Sequence, residues 1–493
     1  MSSDVKSSQF ALARKFGAQY FELSLLILLI SLWIVFRLYG LDLSPPGFAV
    51  DEGGSGTNIM CLIREGTAAN GVPYPFYAAH FDGDPYEGIV SPVFLYPAAL
   101  WALSFGDSIL AMRAFVAFVN IIGIYFLYLL GTTLREQKLG LWFALCGAAS
   151  VWSFQLSRIN WDASIAAPLL IIGLYYLARP TSYRSSLFAG LFLGASMYAY
   201  TPAQITTPLV LFAFFLARIK PLSRQTLGTF AVISLSALHL FLRSALANRP
   251  TRFSLTGFLH PEYLKGIDAP YPHALFYSFL QKLYIHLDPA FLFWAGDKNL
   301  RHSPSGFGQW GTLELLALIV FLVAVGVKIV THRTDKPNTP FLTKDLALIL
   351  VFAAASYMIA IIPAALTWEG LPHALRSNLS WPFLSIAAGI VLYSALRAEP
   401  LFGLSLFVPI LWFSYTFPKH YFTTYRKQAS SVFEQRVHLA AREARDGRVR
   451  WDVFVKVFPN KEAAHLRYYL MSQGGMGCLE SRLYLSRLRD SPR

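Results

Sequence analysis

Ala114–Leu134 reads AFVAFVNIIGIYFLYLLGTTL, an unbroken charge-free run closed by Arg113 before it and Arg135 after it. Wound as an α-helix at ~1.5 Å per residue it crosses ~30 Å, the thickness of bilayer hydrocarbon. Further charge-free stretches lie at 139–157, 163–178, 225–242, 346–368, 377–396 and 400–418, and two near 20–36 and 310–327 each hold one Glu near an end. The run 185–217 is too long for a single span, and Thr201-Pro202 near its middle turns the chain, so it counts as a hairpin of two short helices. These runs predict an all-α polytopic membrane protein of about eleven transmembrane helices. The composition agrees, with 55% of the 493 residues hydrophobic and 14% charged, against roughly 25% charged in soluble domains. A water-soluble enzyme does not fit those proportions.

Residues 88–106 are long enough to cross but contain Pro92 and Pro97, which remove backbone donors that hydrocarbon cannot replace. With this run laid along the surface, the amino terminus and alternate turns hold fifteen Lys and Arg, while the opposite short turns hold only Arg158 and Arg376. That asymmetry puts the amino terminus in the cytoplasm of a plasma (inner) membrane protein. The first apolar run then serves as an anchor, not a cleaved signal. Loops 40–107 and 243–309 fall on the exofacial side, and residues 1–418 form the transmembrane domain.

Residues 419–493 carry 15 basic and 7 acidic side chains, more than half of the chain's net charge of +14. With the remainder at turns, this charge suits anionic lipid headgroups and not nucleic acid. Alternation in Trp451–Phe458 (WDVFVKVF) suggests a strand and Lys461–Met471 a helix, so this tail reads as a small soluble α+β domain on the exofacial side. Cys61, Cys146 and Cys478 follow no metal or disulfide spacing; Cys146 lies in an apolar run, and Cys61 and Cys478 could meet in an oxidising compartment but read first as two unpaired thiols.

On this topology the outer face gathers carboxylates: Asp51, Glu52, Asp82, Asp84, Glu87 and, just after Arg158, Asp162. Ionisable groups packed against a bilayer are costly to keep, which marks them for function. The stretch SPPGFAVDE (44–52) leaves the membrane through a rigid turn. It delivers Asp51 and Glu52 to the start of a surface helix, with Asp51 at its cap and Ile59, Met60, Leu62 and Ile63 toward the bilayer.

PPGFAVDE, DPYEGIVSPVFLYPAAL around Glu87, Arg113, SRINWDAS (157–164), GDKNLRHS (296–303) and PAALTWEGLPHALRS (363–377), taken in that order, resemble the GT-C superfamily of integral-membrane glycosyltransferases. The likeness is to the lipid-carrier-dependent branch that includes lipid A aminoarabinose transferase and protein O-mannosyltransferases. It implies a GT-C fold with exofacial juxtamembrane helices, and transfer of a sugar from a polyprenyl (undecaprenyl) phosphate to a glycan, lipid or protein acceptor at the periplasmic face. It also implies a role in making cell-envelope glycan. By this resemblance Asp51 is the base, with Glu52 next and Asp162 a second acidic site. Glu87 belongs to a divalent-cation site (Mg, Mn or Zn), for which His260, His302 and His373 are candidate partners. Arginine's planar fork suits phosphate, making Arg376, Arg301, Arg158 and Arg113 the candidates for the donor's leaving group. The chain departs from the family at Gly53-Gly54, which loosens the helix start, and at Gly88, where a lysine is usual. A transporter or flippase of lipid-linked sugars is the competing expectation, although the acids crowd the outer mouths and no internal repeat is visible.

Overall fold

The computed structural model describes residues 2–80, 89–180, 182–217, 219, 226–246, 256–331, 341–458 and 463–490. Glu87, Asp82 and Asp84 lie outside them, as do the basic turns at 220–225 and 332–340. The described chain is almost entirely helical, with one two-residue hairpin pairing Ala78 with Val90 and Ala79 with Ile89.

The helices are α1 (Ser2–Leu38), α2 (Val50–Glu65), α3 (Pro92–Phe105), α4 (Ile109–Leu134), α5 (Gln137–Ala149), α6 (Val151–Leu156), α7 (Ala163–Ala178), α8 (Tyr183–Ala199), α9 (Ala203–Leu216) and α10 (Leu227–Leu246). After them come α11 (His273–Ile285), α12 (Thr312–Thr331), α13 (Lys344–Ala365), α14 (Trp381–Ala398), α15 (Pro400–Ser405), α16 (Phe407–His420), α17 (Gln435–Arg445), α18 (Trp451–Val457), α19 (Ala463–Ser472) and α20 (Cys478–Asp490). Among the described residues, four are able to cross a membrane by length and composition: α1 from Tyr20, α4, α13 and the stretch Asn378–Ala398 ending in α14. Shorter apolar helices, α3, α7, α9 and Leu227–Leu240 of α10, accompany them. This is a multi-pass membrane architecture. The run 185–217 divides at Tyr200–Pro202 into α8 and α9, where proline cannot continue the first helix.

Packing follows the apolar pattern. α14 is apolar on nearly every side and is enclosed, with α5, α12 and α13 against it, as expected of a helix without a polar face. The charge-free stretch 139–157 breaks at Ser150, whose hydroxyl accepts the Ser153 N–H and starts α6. The buried guanidinium of Arg37 fills that break, donating to the carbonyls of Gly147, Ala148 and Ser153 and to the hydroxyls of Ser153 and Ser157. Arg158 reciprocates, donating to Phe36, Arg37, Tyr39, Gly40 and Ser44 carbonyls at 2.7–3.0 Å. It thereby supplies donors to the last carbonyls of α1, which have no partners within their own helix.

Three expectations are corrected in the tail and in α2. Trp451–Val457 is helical. Trp451, Phe454, Val455 and Phe458 fall at i, i+3, i+4 and i+7, and this stripe packs inward while Val453 and Val457 are exposed. α2 does not lie on the bilayer: it is buried from Glu52 to Leu62, with α19 and α20 against it. Its glycines admit that approach, since a Cβ at Gly53 would stand 3.1 Å from the His465 Cα. Cys61 and Cys478 are bonded, not free, with Cα atoms 5.2 Å apart, and only Cys146 remains a thiol.

Candidate active site

The two neighbouring acids at the start of α2 have different surroundings. Glu52 is completely buried and paired with the equally buried Arg113, at 2.8 Å to Nε and 2.7 Å to Nη2. Its carboxylate also accepts the N–H groups of Ala49 and Asn160 at 3.0 and 2.9 Å, so Glu52, and not Asp51, closes the amino end of the helix. Arg113 spends its remaining donors on the carbonyls of Leu41, Pro45 and Gly47, fixing the Pro-Pro-Gly turn against α4. Glu52 and Arg113, like Arg158, are thus committed to backbone and to each other, which leaves no paired donors for a phosphate.

Asp51 instead opens toward solvent, with its side chain 34% exposed. One oxygen receives the Arg301 guanidinium at 2.8 Å and the other stands 3.6 Å from His80 Nε2. His80 sits at the hairpin, whose Ala79 carbonyl accepts from Asn58 of α2. Burial would push the Asp51 carboxyl up, but the nearby His80, with the charges of Arg301 and His302, outweighs it and holds the carboxyl at about 2.

Arg301 lies in the loop before α12, whose turns are built by side chains. Asp297 accepts the Asn299 N–H at 2.8 Å, and Asn299 accepts the Arg301 N–H at 3.0 Å. The other Asp297 oxygen accepts the Ala374 N–H at 2.8 Å and meets His302 Nδ1 at 2.9 Å. An ionised carboxylate only accepts, so His302 donates from Nδ1 and its lone pair is at Nε2. His302 stacks on His373, with centroids 4.6 Å apart, and lies beside Trp161. Ligand atoms of Asp297, His302 and His373 all fall within 4.8 Å of one another. An imidazole oriented by a carboxylate, with a second imidazole nearby, suits Zn²⁺ or Mn²⁺. His260 is not part of this group: it stacks on Trp368 and accepts the Glu262 N–H.

Asp162 starts α7, accepting the Ala163 N–H at 2.7 Å and the Ser91 N–H at 3.3 Å. It follows Trp161 and tethers the hairpin's second strand. Arg376 joins the histidine group through its backbone, which donates to His373 Nδ1 at 3.3 Å. Its guanidinium binds the Glu369 carboxylate at 2.6 Å and Thr367 at 2.9 Å, on the wall of a cavity lined by Tyr200, Thr201, Pro202, Ile205 and Pro363.

The structure therefore brings together Asp51, Arg301, His302, His373 and Arg376 from the sequence-based candidates, and adds His80 and Asp297. Asp297 stands inside the GDKNLRHS motif five residues before His302, the spacing at which a loop carboxylate and an imidazole meet. His80 carried no such signal, because only the hairpin turns it toward Asp51.

No family model matches the chain, and no curated protein matches it. Among solved structures it is similar to the oligosaccharyltransferase AglB of Archaeoglobus fulgidus, in complex with an inhibitory peptide and a dolichol-phosphate (14% identity, TM-score 0.48, covering 84% of this chain and 56% of that one). It is also similar to ArnT of Cupriavidus metallidurans bound to undecaprenyl phosphate (12% identity, TM-score 0.47, 95% and 76%). A third is the Archaeoglobus fulgidus oligosaccharyltransferase in complex with Zn and sulfate (13% identity, TM-score 0.46, 82% and 53%). The chain spans little more than half the length of the oligosaccharyltransferase.

Proposed function

We propose that this chain is a GT-C-type glycosyltransferase that moves a sugar from a polyprenyl-phosphate carrier to an acceptor hydroxyl at the outer membrane face. The observation that carries the proposal is the Asp51–Arg301 pair beside the Asp297–His302–His373 group, with Arg376 next to it on the wall of an otherwise largely apolar cavity. Three demands of the reaction are matched: an acceptor for the hydroxyl proton, positive charge for the departing phosphate, and an apolar surface for the lipid.

In the proposed step the acceptor oxygen bonds to the anomeric carbon as that carbon's bond to the carrier phosphate breaks. The electron pair leaves with the phosphate, and the hydroxyl proton passes to Asp51. While paired with Arg301, Asp51 is a weak base. A donor phosphate that draws Arg301 onto itself frees the carboxylate and raises its basicity, so proton acceptance follows donor binding. Asp297, His302 and His373 would hold a divalent cation, whose contribution is charge that stabilises the leaving phosphate. Glu87, Asp162 and the outer-face location belong to the same proposal. The Cys61–Cys478 bond supports that location, since disulfides persist in oxidising compartments and this one joins loop 40–107 to the tail.

The test supplies a labelled polyprenyl-phosphate sugar to purified protein in lipid nanodiscs and follows release of the carrier. Release by the unmodified chain, reduced at least about a hundredfold in Asp51→Asn with folding unchanged, is the expected result. Equal release from both proteins removes Asp51 from the reaction. Movement of intact carrier across vesicles without sugar loss would point to a transporter.

A further inference from the structure

The loop that carries Arg301 is fastened from below as well as by its own turns. Gln155 of α6 is fully buried, and its amide nitrogen stands 3.0 Å from the Arg301 carbonyl, 3.3 Å from the Leu300 carbonyl and 2.6 Å from the Tyr425 hydroxyl, its two hydrogens shared among the three acceptors. The Tyr425 hydroxyl, also buried, donates onward to the Leu300 carbonyl at 2.7 Å. Two successive backbone carbonyls, those of Leu300 and Arg301, are thereby satisfied by two side chains from distant parts of the sequence. Tyr425 stands on the helical continuation of α16, which runs to Gln428, and Gln428 accepts the Ser305 hydroxyl further along the same loop.

The same C-terminal region grips the other partner of the pair. Beside Gly47, where φ is +76°, a Cβ would come within 2.8 Å of the Gln435 nitrogen, so the turn before α2 rests directly on this segment. His465 is hydrogen-bonded through Nε2 to the Phe48 carbonyl at 2.8 Å, and Thr57 donates to the Ala464 carbonyl at 2.6 Å. Asp51 lies between Phe48 and Thr57. The segment after the last apolar helix thus touches the backbone beneath both members of the Asp51–Arg301 pair, which are 250 residues apart in the chain.

We propose that Gln155 and Tyr425 are positioning residues that hold Arg301 against Asp51, and that through them the C-terminal region is part of the active site and not a separate module. Neither side chain touches the reacting atoms. Each acts through the loop carbonyls: deleting the donors leaves half-buried carbonyls short of partners, and the loop shifts to find others. The alignment of Arg301 with Asp51 is then lost, although every side chain of the pair remains. The functional part of this inference rests on the proposed glycosyl transfer, whereas the geometric part does not.

The experiment uses the full chain in nanodiscs, with spin labels at Lys298→Cys and Val72→Cys. Cys146 is buried and the other two cysteines are bonded to each other, so labelling is selective. Distance distributions are compared for the otherwise unmodified chain, Tyr425→Phe, Gln155→Met and both together. Tyr425→Phe deletes one oxygen and keeps the ring, so it preserves the fold, which a melting curve checks. The expected result is a narrow distribution that broadens in each variant. With it, carrier release falls about tenfold and the acid limb of its pH profile moves up by about one unit, as Asp51 loses part of its pairing with Arg301. Distributions and acid limbs that coincide with the unmodified protein would overturn the proposal. Broadened distributions with no transfer by any form, the unmodified chain included, would uphold the positioning and overturn the functional reading instead.

Discussion

Asp51 and Glu52 are adjacent and chemically alike, yet the fold separates their roles through what each one faces. Glu52 is enclosed with Arg113 and two N–H groups, while Asp51 keeps an open side and shares Arg301 and His80. The Asp51 carboxyl, held at about 2 from an ordinary 3.8, stabilises the fold fully above the unfolded value. That contribution is lost as the pH falls from about 4 through 2, so melting temperature measured against pH should drop less steeply there in Asp51→Asn. Arg301→Gln and His80→Phe each remove an influence that lowers the carboxyl, and both should shift the acid limb of carrier release upward. At the neighbouring histidines, His302→Ala is expected to abolish Zn²⁺ or Mn²⁺ retained after purification, read by elemental analysis, while His260→Ala leaves it unchanged. Equal metal content in the two variants would dismiss the Asp297–His302–His373 assignment.

Helix α4 carries in its second turn an arginine, Arg113, that belongs energetically to another helix. Arg113→Met should leave Glu52 buried without a compensating positive charge and cost about 3–5 kcal/mol, seen as a large fall in melting temperature. Adding Glu52→Leu should restore most of that loss, because an apolar pair of similar volume tolerates the same enclosure. The long apolar helices were readable from the sequence, whereas the runs 139–157 and 400–418, each expected to be one span, divide into two helices at Ser150 and Leu406. A charge-free run such as 114–134 leaves little choice in a bilayer, and Pro202 marks the α8–α9 turn without outside help. Strand and helix were confused at Trp451–Phe458 because Trp, Phe and Val occupy enough positions there to satisfy both periods. Only burial against α17 and α20 picks the stripe Trp451, Phe454, Val455 and Phe458. The aliphatic face of α2 was assigned to lipid for a related reason. Hydrophobicity predicts that a surface is covered but does not name the cover, which here is a helix some 400 residues later in the chain.

Across the whole chain, contacts of high sequence separation decide what local pattern cannot. Asp51 meets Arg301, Gln155 meets Tyr425, and Cys61 meets Cys478 over 417 residues. The identity of Asp51's partners could not be read from the sequence, since no spacing rule links positions 51, 80 and 301. Removing the disulfide by paired Cys61→Ser and Cys478→Ser substitutions should lower stability by about 2–4 kcal/mol, measured by melting in nanodiscs. The substitution should also broaden any distance measured between α2 and α20. That bond has a temporal side as well. At ~5–20 residues per second a ribosome needs roughly 20–80 s to travel from Cys61 to Cys478, and throughout that interval the first thiol waits without its mate. Maturation therefore depends on thiol-oxidising factors in the compartment that receives both ends, and a host lacking them should accumulate inserted, full-length but loosely closed protein.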